Sequence, residues 1–373
     1  MTESEATEAT TEATEATTVE AAEKAIAAKE PPKAITPELF VSISPHFKNT
    51  DSVSKIMWTV VACLMPPLVL SVFVFGFQTL IITLVSVLSC VGTEYVANRC
   101  LGRPTDSIKD GSAVITGVLL AYVIPPGVPY WMPILGGVMA IYVTKVLMGG
   151  LGYNMFNPAL IGRAFLVASY PVAMTSAWLS PIRDAAVFKY MGSGADAVST
   201  ATPLYVLKHY GMAALIERFG SLSVIYRDFF IGLRPGCIGE TSAFLLIIGG
   251  CFLIYKRYVT WHVPASVIAS VALFTWIFGG EGFFNGNPLL AILSGGVIIG
   301  AFFMATDYVT SPTQVTGKIV FGVGIGALTV LIRLKGGYPE GVCYAILLMN
   351  PLTPALDRWF RPKRFAPEPE EGA

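Results

Sequence analysis

The feature that most constrains this chain is a succession of long apolar runs. They occupy residues 56–75, 78–97, 111–124, 131–148, 156–174, 241–255, 261–278, 288–305, 319–334 and 342–352. Crossing a bilayer takes about 20 mostly apolar residues in a helix. Inside lipid each backbone polar group has to find its partner within the protein, which leaves helices as the natural state of such runs. The expectation is an all-α polytopic membrane protein with about ten transmembrane helices. Composition agrees, since 54% of residues are hydrophobic and 13% charged, whereas a soluble domain carries about 25% charged residues.

Charge in the short connections predicts the orientation. Arg99, Arg103 and Lys109 follow the second run, and Lys256 and Arg257 follow the sixth. Lys318 precedes the ninth run, and Arg358, Arg361, Lys363 and Arg364 follow the tenth. These all fall on one side, which the positive-inside rule assigns to the cytoplasm. Arg333 and Lys335 dissent, falling in a connection on the other side. Both termini are then cytoplasmic and multi-pass insertion leaves the polar interval after residue 175 facing outside. The expected organisation is a tail (1–36), a first five-helix half (37–175), an extracytoplasmic loop (176–240), a second five-helix half (241–356) and a cytoplasmic tail (357–373).

The first 36 residues repeat Thr, Glu and Ala, with eight acidic and three basic residues before Pro37. Too little apolar surface is available there to offset ordering entropy, so disorder is expected. No positive region followed by an apolar stretch marks it as a signal peptide. The remainder is mildly basic without a charge block, which excludes a nucleic-acid partner as an expectation. Six scattered cysteines and three dispersed histidines form no metal-ligand or disulfide pattern.

Five runs on either side of a long interval must insert in opposite directions if they repeat one fold. Lys145 with Gly149-Gly150 precedes the fifth run, and Lys335-Gly336-Gly337 precedes the tenth. Asp110 to Gly117 and Asn287 to Gly295 echo each other in the third and eighth. The expectation is two inverted five-helix repeats, a plan that places binding sites where interrupted helices meet. Gly-Gly pairs are also common in membrane connections, and that reading stands beside it. Gly296/Gly300 and Gly322/Gly326 are small-residue stripes suited to helix packing.

The polar interval holds Asp196-Ala197-Val198-Ser199-Thr200-Ala201-Thr202-Pro203. Pro203 biases Thr202 to extended backbone, which presents its hydroxyl outward. Asp196 suits a phosphate-bound cation nearby, although an ordinary Ser/Thr loop has the same look. Residues 205–219 place Leu207, Tyr210, Ala214 and Leu215 at helical spacing opposite Lys208, Glu217 and Arg218. That pattern predicts an amphipathic helix, lying on lipid or docking a partner.

Asp196-x-x-Ser199-x-Ala201-Thr202 resembles the flavinylation motif D-x-x-[S/T]-G-A-[T/S], at whose last residue a flavin transferase attaches FMN through a phosphoester. Thr200 stands where the motif has glycine, which makes Thr200 an alternative acceptor. Residues 40–360 as a whole resemble the family that holds the D-type membrane component of Rnf complexes and the B-type component of sodium-translocating NADH:quinone reductases. The resemblance is carried by 110–117, Asn154-Met155-Phe156-Asn157-Pro158-Ala159, Gly239-Glu240-Thr241-Ser242, Phe303-Met304-Ala305-Thr306-Asp307 and 336–341. It implies a membrane flavoprotein subunit of an ion-translocating oxidoreductase, with covalent FMN on Thr202 and a non-covalent riboflavin between the halves. Such a protein relays electrons between ferredoxin and NAD through other Rnf subunits, coupled to Na+ or H+ movement across the cytoplasmic membrane. Asp307-Tyr308-Val309-Thr310-Ser311-Pro312-Thr313 is a second near-match, but it falls on the cytoplasmic side and has Pro312 in place of alanine.

Charged and polar residues within or at the ends of spans are functional candidates by default. Arg163, one turn after Asn157, suits a flavin phosphate or reduced ring, or else is a structural cation. Glu240 and Thr241 open the sixth run, where a helix N-terminus favours an anion. Asp307 closes the eighth as a flavin-tuning group, an ion-path group or a plain membrane-edge carboxylate. Glu94 and Lys145 are further candidates. The competing functions are the quinone reductase component and, from another class, an inverted-repeat channel or transporter, which explains nothing about residues 196–204.

Overall fold

Each apolar run folds as helix. The computed structural model describes residues 51–181 and 202–361, apart from Glu281, Pro339 and the side chain of Asp106. Asp196, Ser199, Thr200 and the Thr/Glu/Ala tail lie outside the described residues. Helix α1 spans Val53–Phe75, begins at Ser52, whose hydroxyl accepts from Lys55 N (3.2 Å), and stops at Gly76. Helix α2 spans Gln78–Cys100. Both have 23 residues, or roughly 35 Å at 1.5 Å per residue, against a hydrocarbon core of about 30 Å.

After a 3₁₀ turn at Thr105–Asp110, Gly111 takes a left-handed φ of 79° and starts α3, Ser112–Tyr122. Helix α4, Trp131–Val138, continues as a π-helical stretch over Met139–Val146. The fifth expected span is divided. Helix α5 covers Pro158–Ser169, Tyr170 leaves helical geometry (φ −132°, ψ 59°), and α6 resumes over Pro171–Ser176. Pro171 supplies no N–H and crowds the residue before it, so the break falls at that position.

Helix α7, Pro203–Phe219, is the amphipathic segment, kinked at Gly211, and α8 is Leu222–Ile231. A 3₁₀ turn at Ile238–Glu240 leads to α9, Ala243–Tyr255, and α10, His262–Phe278. The eighth expected span is also broken. Helix α11, Pro288–Leu293, ends before Gly295 and Gly296, both left-handed (φ 65° and 67°), and α12, Val297–Ile299, continues π-helically over Gly300–Met304. Helix α13 is Val315–Lys335, α14 Val342–Met349 and α15 Thr353–Trp359. The described residues contain no strand.

Among the described residues, helices α1, α2 and α13 are long and apolar enough to cross a membrane by themselves, and five apolar helices have 10–17 residues. This is the architecture of a polytopic membrane protein. Its main core runs through Leu64, Ile82, Leu120, Leu160, Phe321 and Ile325, all fully buried, while large apolar side chains such as Leu88, Phe252 and Leu331 face outward.

Arg333 corrects the charge count made from sequence. It is buried within α13 rather than placed in a connection. Its guanidinium donates to Ala291 O (2.7 Å), Ser294 O (2.8 Å) and Gly295 O (3.3 Å). Those are carbonyls at the α11 break, so one cation satisfies the acceptors that an interrupted helix leaves open.

Candidate functional site

Thr202 is the N-cap of α7. Its backbone is extended (φ −64°, ψ 148°), Pro203 fills the first helical position, and its Oγ1 accepts from Tyr205 N at 3.3 Å. The extended geometry matches what Pro203 predicts. The exposure does not, because Thr202 is only 6% exposed. Instead of projecting into bulk solvent, it lines a cavity of about 620 Å³.

Arg163, Trp178, Tyr205, Tyr338, Glu340 and Tyr344 are among the other residues around that cavity. Arg163 gets there because Asn157 caps α5, accepting from Ala159 N (3.1 Å), which fixes where the helix starts. The guanidinium then forms an ion pair with Glu340, delivered by the connection that precedes α14. Tyr338 and Tyr344 stack with ring centroids 5.8 Å apart and planes 26° from parallel. Lys208 on α7 donates to Gly336 O and Tyr338 O, tying that helix to the same connection. Burial holds its ammonium below the usual lysine range. Arg218 also reaches the cavity, so two guanidiniums, aromatic walls and a helix N-terminus face one space.

Behind Glu340 lies a buried charged cluster. Cys237, Glu240 and Glu340 bring one ligand atom each to within 4.8 Å of one another. Arg234 approaches Glu240 at 3.7 Å and lies 4.3 Å from the centre of the Phe229 ring. Glu240 belongs to the 3₁₀ turn at Ile238–Glu240, and the following helix starts only at Ala243, capped by Ser242. The Thr241 hydroxyl donates back to Ile238 O. Glu240 and Thr241 are therefore buried before the helix begins, not its first residues as the sequence suggested.

Asp307 is in a different place. It lines a second cavity, of about 110 Å³, together with Asn154, Asn157, Lys145, Tyr258 and Phe302. Its Oδ2 accepts from Thr310 Oγ1 at 3.2 Å, and Asn157 Nδ2 donates to Met304 O at 3.2 Å. Lys145 and Glu94 meet here as a buried pair (2.7 and 2.8 Å), with Ser112 Oγ accepting from the same ammonium at 2.7 Å. Helix α5 thus links the two cavities, with Asn157 at one and Arg163 at the other.

The structure groups Thr202 with Arg163, Glu240 with the cluster beyond Glu340, and Asn157 with Asp307. Sequence reasoning passed over Glu340, Arg234 and Lys208. Glu340 had a usable signal, being a lone carboxylate at the head of an apolar run, the same reason for which Glu240 was chosen. Lys208 had none, because a cation on the polar face of an amphipathic helix reads as solvated.

Comparison with known proteins fits this architecture. The model of the NQR2, RnfD, RnfE family matches residues 40–366. The chain is 49% identical over 326 residues to the D-type component of the proton-translocating ferredoxin:NAD(+) oxidoreductase complex of Clostridium ljungdahlii, covering 87% of this chain and 95% of that one. It is 41% identical over 330 residues to the D-type component of the Na(+)-translocating ferredoxin:NAD(+) oxidoreductase complex of Acetobacterium woodii, covering 88% and 95%. To the D-type component of the ion-translocating oxidoreductase complex of Escherichia fergusonii it is 35% identical over 353 residues, covering 87% and 97%. With a family match across nearly all of its apolar body and relatives aligned almost end to end, the chain belongs to the NQR2, RnfD, RnfE family.

Proposed function

We propose that this protein is the D-type membrane component of an Rnf complex, carrying FMN on Thr202 and passing electrons between ferredoxin and NAD branches as Na+ or H+ is moved. The relatives' names support the complex, and the observation that supports the cofactor is the Thr202 cavity itself. Its volume of about 620 Å³ lies within the range of about 300–1,000 Å³ typical of cofactor sites. A phosphate esterified to Thr202 Oγ1 would meet the N-terminus of α7, a natural anion site. Arg218 would balance its charge, and Trp178, Tyr205, Tyr338 and Tyr344 offer apolar surface for a planar ring. When bound, the flavin supplies the redox chemistry. The protein's part is to anchor it by one covalent bond and to shield it.

A non-covalent riboflavin between the halves belongs to the same reading; the Asp307 cavity, at about 110 Å³, is smaller than that size range and is not proposed as its site. The ten-span inverted-repeat plan is part of the same reading. It is supported by the match between α3, entered through left-handed Gly111, and α12, entered through left-handed Gly296. In this plan both termini are cytoplasmic, and α7 and the Thr202 cavity open to the outside of the cytoplasmic membrane, where a flavin transferase would act.

The test is in-gel ultraviolet fluorescence of the denatured protein after co-expression with a flavin transferase. Wild type is expected to fluoresce and Thr202→Val to be dark. Fluorescence persisting in the variant moves the attachment to Thr200 or Thr313. A dark wild-type band, with a transferase active on another substrate, overturns the covalent flavin.

A further inference from the structure

Glu340 faces two spaces. One is the Thr202 cavity, and the other is a void of about 10 Å³ that it shares with Arg163, Cys237, Glu240 and Cys343. A void of that size is about one water sphere. Around Glu340 stand Arg163 from α5, Cys343 and Tyr344 from α14, and Tyr338 from its own connection. Arg234, Cys237 and Glu240 approach from the segment before α9, and Arg333 from α13. The other two guanidiniums are engaged elsewhere. Arg333 is held by three backbone carbonyls, and Arg234 lies against Phe229 and Glu240. Among the described residues, Arg163 is the cation that forms an ion pair with Glu340.

We propose that Glu340 is the proton-accepting carboxylate of the Thr202 cavity, taking up one proton when an electron arrives there and releasing it when the electron leaves. This rests on the flavin reading above. A negative charge in the cavity competes for Arg163, which lines it, and draws the guanidinium away from Glu340. Glu340 is then left beside Glu240, with oxygens within 4.8 Å. Two carboxylates that close, shielded from water, do not both stay ionised. The electron comes from the reduced donor of the complex, and the proton comes from solvent at the exposed rim formed by Val172 and Arg218. One O–H bond forms on Glu340, and the net charge of the site is unchanged. Oxidation reverses both transfers. The protein thereby holds a redox-linked proton of its own, on a carboxylate that lines the same cavity beside Arg163.

The experiment is reduced-minus-oxidised infrared difference spectroscopy on the purified complex, reduced with NADH, in H₂O and in D₂O. Wild type is expected to gain the C=O stretch of a protonated carboxylic acid on reduction, shifted in D₂O, and Glu340→Gln to lack it. Glu340→Asp is expected to keep a displaced band, which decides the matter if the glutamine variant does not assemble. The pH dependence of the flavin midpoint potential is expected to flatten in Glu340→Gln, by up to the ~59 mV per pH unit of a one-electron, one-proton couple. A band unchanged in Glu340→Gln, or absent from wild type, overturns the assignment. Flavin fluorescence on the same samples separates the two levels. A fluorescent wild type without the band defeats this inference alone, whereas a dark wild type defeats the flavin reading and this inference with it.

Discussion

Arg163 and Glu340, 177 residues apart in sequence, form an ion pair at the wall of the cavity that Thr202 lines. Their side chains are 14% and 12% exposed, so removing one partner strands a largely buried charge. Such a loss costs about 3–5 kcal/mol when burial is complete, and the residual exposure places this pair at the lower end. Glu340→Ala is therefore expected to lower the melting midpoint of the detergent-solubilised protein by several degrees. Arg163→Met combined with Glu340→Met is expected to cost less than either single change. A double variant as unstable as the sum of the singles would show that the two residues act independently.

The Lys145–Glu94 pair is the stricter case, with side chains 4% and 2% exposed and Ser112 completing the ammonium's partners. Glu94→Gln is expected to cost about 3–5 kcal/mol, and more than Glu340→Ala. Ser107 Oγ also donates to Glu94 Oε1 at 3.0 Å and accepts from Asn98, so the loss spreads into the turn before α3. Thermal melting of Glu94→Gln, Lys145→Met and the double variant measures the coupling. A change within experimental error in all three would show that solvent or lipid headgroups replace the pair.

Much of this architecture was legible because it follows from one-dimensional patterns. Helices α1 and α2 stand where unbroken apolar runs stand, and Pro171 marks a break by chemistry local to one residue. Thr202 adopts the extended backbone that Pro203 imposes. What stayed hidden depends on distant partners. Nothing near Arg333 in sequence says that it closes the α11 break 38–42 residues away. Glu340 becomes meaningful only once Arg163 on α5 and Glu240 in the turn before α9 approach it. The cavity that Thr202 lines is likewise completed by α5, α6 and the connection before α14, none of which its neighbours reveal.

The approach to α1 supplies a test by pH. Asp51 accepts from Lys55 Nζ at 2.7 Å and from the Tyr258 hydroxyl at 3.1 Å. The Lys55 contact is the largest influence on the Asp51 carboxyl, and with the lesser help of Tyr258 it outweighs the upward push of desolvation and holds the group below the ordinary carboxylate value. A carboxyl lowered in the folded state stabilises the fold above its unfolded pKa of about 3.9. That contribution fades as pH falls through the folded value. Asp51→Asn is expected to melt slightly below wild type at neutral pH, the pair being exposed and screened. The gap should shrink steadily below about pH 4. A gap that persists unchanged in acid would assign the effect to the asparagine's shape.

The seam between α10 and α13 depends on missing side chains. A Cβ on Gly322 would stand 1.8 Å from Ser266 Oγ, and one on Gly326 1.8 Å from Ser270 Oγ and 3.0 Å from Val271 N. Ser270 Oγ donates to Val267 O and to Gly322 O, at 3.0 and 3.3 Å, so it has little freedom to turn away. Between membrane helices the favourable term is close van der Waals contact, which small residues allow. Gly326→Ala is therefore expected to force the helices apart at a cost of about 1–3 kcal/mol. Gly92→Ala, with nothing within 4 Å of its Cβ, should be neutral or mildly stabilising by helix propensity. The decisive comparison is Gly322→Ala with and without Ser266→Gly, which removes the side chain it strikes. Recovery of the melting midpoint in the double variant identifies the clash as the cause. Without recovery, the backbone carbonyl of Val263, 3.2 Å from the same Cβ, sets the spacing of the two helices.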